Sequence, residues 1–427
     1  MRTKDVIHAL NARDLTALSS LITEEAAVIL LAQVKATGPL EIREAAEDRC
    51  LLFAPLVRNW YELTAPSFEL EPVRDPDPRP LQGSADERAD VATAYLLGLA
   101  EADMFSGVVR LSRGDEVLFE EVYGLAERTH RRPNLPGTPF NVGSMNKMMT
   151  SVCIGQLVEQ GKLRLDDAVG THLPDFRPDI TGRITIRQLL THTSGMGDFF
   201  TPRFFAGARH ALETIDAHLD LIRDDDLLFE PGSRFQYSNA GFALLGAIIE
   251  EKMQCSYFDY IRKHVFDPAG MRSSGFPAFD EFRDEAVGYS NFTAHGAVTG
   301  PRRPHDDTLP RRGSSAGGGY CSALDLARFG DALMNDALVG ADVKTMLLDV
   351  GNGDLTGRPG GIPYAQGFMV QQEHGVLSYG HGGGGPGISS FMDVFPEQGL
   401  TLVAVSNYDS GARAIRPELR RIFWPAD

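Results

Sequence analysis

The stretch Phe140-Asn141-Val142-Gly143-Ser144-Met145-Asn146-Lys147-Met148-Met149-Thr150-Ser151 decides how this chain is read. It predicts the first turn of a helix from Ser144 to about Gln160, with Gly161 at the position of a C-terminal glycine cap. The apolar residues Met148, Met149, Val152, Cys153, Ile154, Leu157 and Val158 fall on nearly all sides, the pattern of a buried helix. Ser144 and Lys147 are then surface neighbours, with Cβ atoms about 5–6 Å apart. A lysine at the start of a buried helix must find a partner or shift its pKa. Such an amine can serve as a base for the serine hydroxyl, and a helix N-terminus favours the developing alkoxide. The bland alternative is a lysine that snorkels to solvent at a helix end, since Ser-x-x-Lys also occurs by chance.

Two later segments favour the catalytic reading. Phe235-Gln236-Tyr237-Ser238-Asn239-Ala240-Gly241 precedes an apolar helix, and its Tyr-x-Asn spacing puts a phenol and an amide on one side of an extended loop. Tyr379-Gly380-His381-Gly382-Gly383-Gly384-Gly385-Pro386-Gly387 offers backbone that can approach a ligand closely, with N–H groups suited to an oxyanion hole.

In this order the three segments resemble the motifs of the serine β-lactamase and penicillin-binding-protein superfamily, nearest its class C β-lactamase-like branch, which includes the family VIII carboxylesterases. The stretches 162–169, 184–195 and 315–329 are similar to connecting segments of that family, and the resemblance spans roughly 85–425. It implies Ser144 as nucleophile, Lys147 and Tyr237 sharing the base role, and Asn239 orienting substrate or lysine. It also places His381 and Gly383 in the third motif, and the oxyanion hole on the N–H groups of Ser144 and Gly384. The implied mechanism is acylation of Ser144 followed by attack of water.

The third motif departs from the lysine that many members carry there. An ordinary histidine is mostly neutral at pH 7, so His381 favours a neutral ester, amide or thioester over an anionic β-lactam. Its alternative is a turn histidine with no role. A competing motif, Gly313-Ser314-Ser315-Ala316-Gly317, matches a nucleophile elbow with Ser315, Asp354 and His381 as a formal triad. The polar, proline-containing sequence before it and the glycines after it do not supply the strand and helix an elbow needs.

At 427 residues the chain can bury a large core. A net charge of −17 argues against nucleic acid and anionic membranes as partners. The N-terminus carries no apolar secretory segment, and Cys50, Cys153, Cys255 and Cys321 are scattered, so a cytosolic protein with free thiols is expected. The eleven histidines show no ligand spacing, and no metal or other cofactor is expected.

The sequence divides into an N-terminal accessory segment, 1–83, mostly helical and ending in the linker Asp75-Pro76-Asp77-Pro78-Arg79-Pro80, and a catalytic domain, 84–427. Within the latter, 87–102 reads as a helix, 106–112 with 116–123 and 388–395 with 400–407 as hairpins, and 410–423 as a final helix. The expected fold is α/β: a central antiparallel sheet flanked by terminal helices, with a mainly helical subdomain at about 144–335, as in the β-lactamase/transpeptidase fold. Phe199, Phe200, Phe204 and Phe205 either line an acyl pocket or pack into their own core, and 280–308 reads as irregular. The function expected is carboxylic ester hydrolysis on a small-molecule substrate. The alternatives are β-lactam or D-amino-acid amide and peptide hydrolysis, acyl transfer to a small acceptor, and a non-catalytic binding homologue. A homo-oligomer is possible.

Overall fold

The computed structural model describes residues 80–292, 298–305, 309–351, 362–409 and 411–424. The helices expected in the accessory segment, its linker up to Arg79, Cys50 and Asp354 lie outside the described residues. The chain divides into two units. One comprises residues 1–80 and 290–304, and the other 81–289 and 305–427.

The larger unit is built on six antiparallel strands: β1 (Gly107–Arg113), β2 (Glu116–Tyr123), β3 (Met369–Glu373), β4 (Val376–Gly385), β5 (Ile388–Phe395) and β6 (Leu400–Ser406). Their spatial order is β2-β1-β6-β5-β4-β3. Both expected hairpins form, turned by glycines in the left-handed region, Gly114 at φ +56° and Gly399 at φ +65°. The pairing that joins early and late sequence is β1 with β6, Val108 opposite Val405 and Leu111 opposite Leu402.

Alternation along the strands sends side chains to two cores. Leu402, Ala404, Phe391 and Phe395 pack with Leu96 of helix α1 (Ala85–Glu101) and with Ile415 and Leu419 of the C-terminal helix. Val403, Val405, Met392 and Val394 belong to the larger core of the helical region. That region contains α2 (Asn146–Glu159), α3 (Asn239–Met253) and α4 (Ala323–Met334). The C-terminal helix, α5, spans Gly411–Phe423. With helices on both faces, β5 and β6 are buried along their whole length. β6 accordingly reads as a nearly continuous apolar run, whereas β5 also buries Ser389, Ser390 and Asp393. The observed architecture is the expected one, but its middle is less purely helical. Phe140–Asn141 pairs with Tyr320–Cys321, and the stretch expected to be irregular holds the strands Tyr289–Phe292 and Val298–Pro304.

The entry to α2 also differs from expectation. Gly143 adopts φ +52°, and Gly143–Met145 forms a 3-10 turn, so the α-helix starts at Asn146. Ser144 therefore stands on the entering turn. At the far end Gly161 at φ +68° ends the helix as expected, and the Lys162 N–H reaches back 2.9 Å to the Leu157 carbonyl.

One charge is buried between sheet and C-terminal helix. Asp393 on β5 is 1% exposed and accepts from Arg416 Nε at 2.9 Å and Nη2 at 2.6 Å, with Arg420 Nη1 at 3.2 Å. Burial pushes the Asp393 carboxyl up, but Arg416 and Arg420 more than offset it and hold it below the ordinary carboxylate value. A depressed folded-state pKa stabilises above the unfolded value and is lost as pH falls through the folded one. Asp393→Asn should cost about 3 kcal/mol in urea unfolding at pH 7, because it leaves buried guanidinium charge unpaired. The gap between wild type and variant should narrow on acidification below about pH 4.

Candidate active site

The site forms where α2 begins, where α3 begins and where β4 runs past both. Gly143 is a glycine for two reasons: its positive φ, and the closeness of β4. A Cβ there would lie 3.0 Å from the Gly384 nitrogen and 3.3 Å from Gly383 Cα. Asn141 Oδ1 accepts from the Gly143 N–H at 2.9 Å and fixes the turn. Ser144 is half-buried on this turn, so its hydroxyl stays within reach of a ligand.

Lys147 has no exposed surface. Its Nζ donates to Asn239 Oδ1 and to the Ala316 carbonyl, both at 2.6 Å, and lies 3.4 Å from Ser144 Oγ. Burial lowers its pKa to about 7, with the Asp198 carboxylate pulling partly the other way. A neutral amine has two N–H bonds and one lone pair. The two oxygens use the N–H bonds, so the lone pair faces the Ser144 hydroxyl. The amine also sits 4.7 Å from the centroid of the Tyr237 ring and 5.3 Å from that of Phe242.

Tyr237 and Asn239 arrive together, as their spacing implied. Ser238 between them caps α3, accepting from the Gly241 N–H at 2.9 Å and donating to the Gly197 carbonyl at 2.7 Å. The Tyr237 residue keeps an exposed edge, but its hydroxyl oxygen is buried beside Ser144 and meets full hydrogen-bond geometry with no described residue. Burial holds this phenol above its ordinary pKa, against the pull of Ser144.

His381 lies 4% exposed on β4. Its Nδ1 is 2.5 Å from the Gly382 carbonyl, which can only accept, so Nδ1 carries the proton. Nε2 then accepts from the Tyr364 hydroxyl at 3.0 Å. Burial, and next the Lys147 charge, push its pKa down to about 3. His381 is therefore neutral at pH 7 by a wider margin than an ordinary histidine. Gly383 leaves no room for a side chain: a Cβ would collide with the Val142 carbonyl. Gly384 is exposed, and a Cβ there would meet Arg413 Nη1 at 2.6 Å.

All seven positions singled out in the sequence thus come together, and four further groups join them. Ala316 supplies the carbonyl for Lys147. Asp198 accepts from Asn239 Nδ2 at 2.7 Å. His192, at φ +57°, tilts over Tyr237 at 4.2 Å between centroids and accepts from the Ser238 N–H at 3.0 Å. Tyr364 donates to His381. None belongs to a local pattern that marks a partner of Lys147 or Tyr237. The only hint was that His192 and Ala316 fall in stretches similar to the family's connecting segments.

The rejection of the elbow holds, and the four phenylalanines divide between the two alternatives left open for them. Ser315 is not an exposed elbow serine, since it is fully buried and donates to the Phe242 carbonyl at 2.8 Å. Of the four phenylalanines, Phe199 and Phe204 are core residues, 3% and 0% exposed, packed on each other and on their neighbours. Phe200 and Phe205 keep 42% and 37% of their surface. Among the described residues no group of three or more His, Cys, Asp or Glu side chains is placed to hold a metal ion, and no helix is long and apolar enough to cross a membrane.

A family model for β-lactamases matches residues 88–423. The chain belongs to the β-lactamase family. A penicillin-binding protein of Bacillus subtilis is 30% identical over 324 residues, covering 72% of this chain and 69% of the relative. A penicillin-binding protein from Bacillus halodurans has a similar structure, with a TM-score of 0.68 at 30% identity, covering 77% of this chain and all of that one. The octameric penicillin-binding protein homologue from Pyrococcus abyssi gives a TM-score of 0.64 at 26% identity, covering 75% and 74%.

In this β-lactamase-family site the approach of β4 to the Gly143–Ser144 turn is backbone on backbone. Gly383→Ala should therefore push β4 off the turn. We expect at least about a hundredfold slower labelling of Ser144 by a fluorophosphonate and a loss of about 2 kcal/mol or more in urea unfolding.

Proposed function

We propose that the chain is a serine hydrolase that works through an acyl-enzyme on Ser144, with carboxylic esters as its main substrates. One observation supports this above the others: a fully buried amine, its pKa lowered to about 7, has both N–H bonds committed to oxygens and its remaining position toward Ser144 Oγ. In the proposed reaction Lys147 takes the Ser144 proton while Oγ attacks the ester carbonyl. The N–H groups of Ser144 and Gly384 receive the oxyanion. The proton passes through Lys147 and Tyr237 to the departing alkoxide, and an alcohol leaves. Water then attacks the acyl ester by the reverse proton path and releases the acid.

The preference for esters rests on His381. Members with a lysine in the third motif bring a cation to a substrate carboxylate. Here the group is a buried imidazole that burial and Lys147 keep neutral. A second reading is acylation by β-lactams or by D-amino-acid amides, and the penicillin-binding relatives favour its β-lactam arm. Acyl transfer to a small acceptor needs only another nucleophile in place of water. A binding protein without turnover fits less well, since nothing but chemistry requires a buried amine held against a reachable hydroxyl. The octameric homologue makes self-association part of the proposal.

Intact-mass measurement after mixing with a short-chain nitrophenyl ester, nitrocefin and a D-amino-acid amide separates these readings. The ester should give an acyl adduct on Ser144 that turns over, and Ser144→Ala should give none. A stable nitrocefin adduct without ester turnover would sink the esterase reading. His381→Lys should raise the rate of acylation by an anionic β-lactam relative to a neutral ester by about tenfold, by restoring a cation for the carboxylate. An unchanged ratio would show that His381 does not set the preference.

A further inference from the structure

We infer that Asp198 is a positioning residue for acylation of Ser144: it anchors the Asn239 amide so that Oδ1, and not Nδ2, faces Lys147. This rests on the reading of Ser144 as the acylated residue.

An asparagine side chain has two ends of nearly equal shape and opposite hydrogen-bond character, so its orientation is set by what surrounds it. Lys147 can use only the acceptor end if it is to keep its lone pair toward Ser144. Asp198 settles the choice. Its Oδ2 accepts from Asn239 Nδ2 at 2.7 Å, while the other end, Oδ1, meets Lys147 Nζ at 2.6 Å. Asp198 is itself held, because its Oδ1 accepts from the Phe200 N–H at 3.1 Å. The loop carrying it is tied to the same helix start, since the Gly197 carbonyl accepts from Ser238 Oγ. A chain of acceptor and donor thus runs from the backbone of 198–200 through Asp198 and Asn239 to the amine.

The geometry makes a prediction about charge as well. Lys147 has several titratable or charged neighbours. Tyr237 lies against it from the segment before α3, His192 from the 191–197 loop, and His381 from β4, while Arg413 of α5 adds a positive field at Tyr237 and His381. His192 is pushed well below its ordinary pKa by burial and then by Lys147, and Tyr237 is raised, so neither carries charge near neutral pH. Asp198 is the carboxylate among them. Burial holds its pKa above the ordinary carboxylate value, and the Phe200 N–H, Asn239 and Lys147 offset only part of that rise. Its field favours the protonated amine. Asp198→Asn removes that field and lets Asn239 turn its N–H₂ toward the amine. Both changes disfavour the cation, so the pKa of Lys147 falls.

The test is the rate of Ser144 labelling by a fluorophosphonate, followed from about pH 5 to about pH 9 in the full-length wild type and in Asp198→Asn. In that step Oγ bonds to phosphorus, fluoride departs and the Ser144 proton goes to Lys147. We expect the plateau rate to fall about tenfold or more. The acid limb should move to lower pH by about half a unit or more. Asp198→Ser should show the same shift and serves if the amide variant does not fold. Loss of rate with an unmoved limb would mean that Asp198 only supports the loop, and would overturn the inference while leaving Ser144 in place. Wild type that folds but is not labelled at Ser144 would overturn the hydrolase reading and this inference with it.

Discussion

The energetic fact on which the site depends is that a lysine amine has been taken entirely out of water. An ammonium group loses several kcal/mol of solvation on such a transfer unless oxygens replace the water it gave up, and otherwise it sheds its proton. Here two oxygens replace part of that shell, Asn239 Oδ1 from the start of α3 and the Ala316 carbonyl from the loop before α4. The partial compensation leaves the amine poised near neutrality instead of fully charged. The same contacts tie two separate stretches of chain to the turn bearing Ser144. Ala316 can reach Lys147 because its loop is bound to that turn, with the Val142 N–H on the Gly319 carbonyl and Asn146 Oδ1 accepting from the Gly319 N–H.

The second constraint is steric. β4 must pass close enough to Gly143 and Ser144 to offer backbone donors, and side chains would prevent it. The run of glycines after His381 meets this need residue by residue: Gly383 lies on the Val142 carbonyl, and Gly384 lies between Gly143 and the Arg413 side chain. On its other side β4 pairs with β3 only as far as Gly380, so the segment His381–Gly385 has no partner from β3. A ligand bound there meets strand backbone on one side and the Ser144 turn on another. The aromatic rings of His192, Tyr237, Tyr364 and His381 stand together at this edge, with centroids 4.2–6.4 Å apart for adjacent pairs.

Much of this was legible in the sequence wherever chemistry and spacing were local. Ser144 and Lys147 are one turn apart, Tyr237 and Asn239 are two apart before a helix, and the glycines follow His381 directly. The hairpins were legible too, because alternation and turn glycines are local signals. What escaped was contributed by residues whose roles exist only across the fold. Asp198 is an unremarkable acid in a loop rich in Phe and Arg until the loop is laid against α3. Ser315 matched an elbow motif whose flanks already argued against it, and the fold buries its hydroxyl on the Phe242 carbonyl. The start of α2 shifted because the left-handed Gly143 breaks helical geometry just before Asn146, which a pattern of apolar residues does not register.

The sequence by itself determined the class of fold, the hairpins and helices at the two ends of the catalytic domain, and the three groups of residues that meet at the site. These follow from periodicity and from short motifs, whose geometry is dictated by neighbouring residues. The tertiary structure decided the state of those groups: that Lys147 is dry and its pKa lowered to about 7 by burial, that His381 is held neutral by burial and the Lys147 charge, and that Asn239 faces the amine with its oxygen. Protonation and amide orientation depend on burial and on partners distant in sequence, such as Asp198, 41 residues before Asn239. Those are properties of the packed chain and of no segment within it.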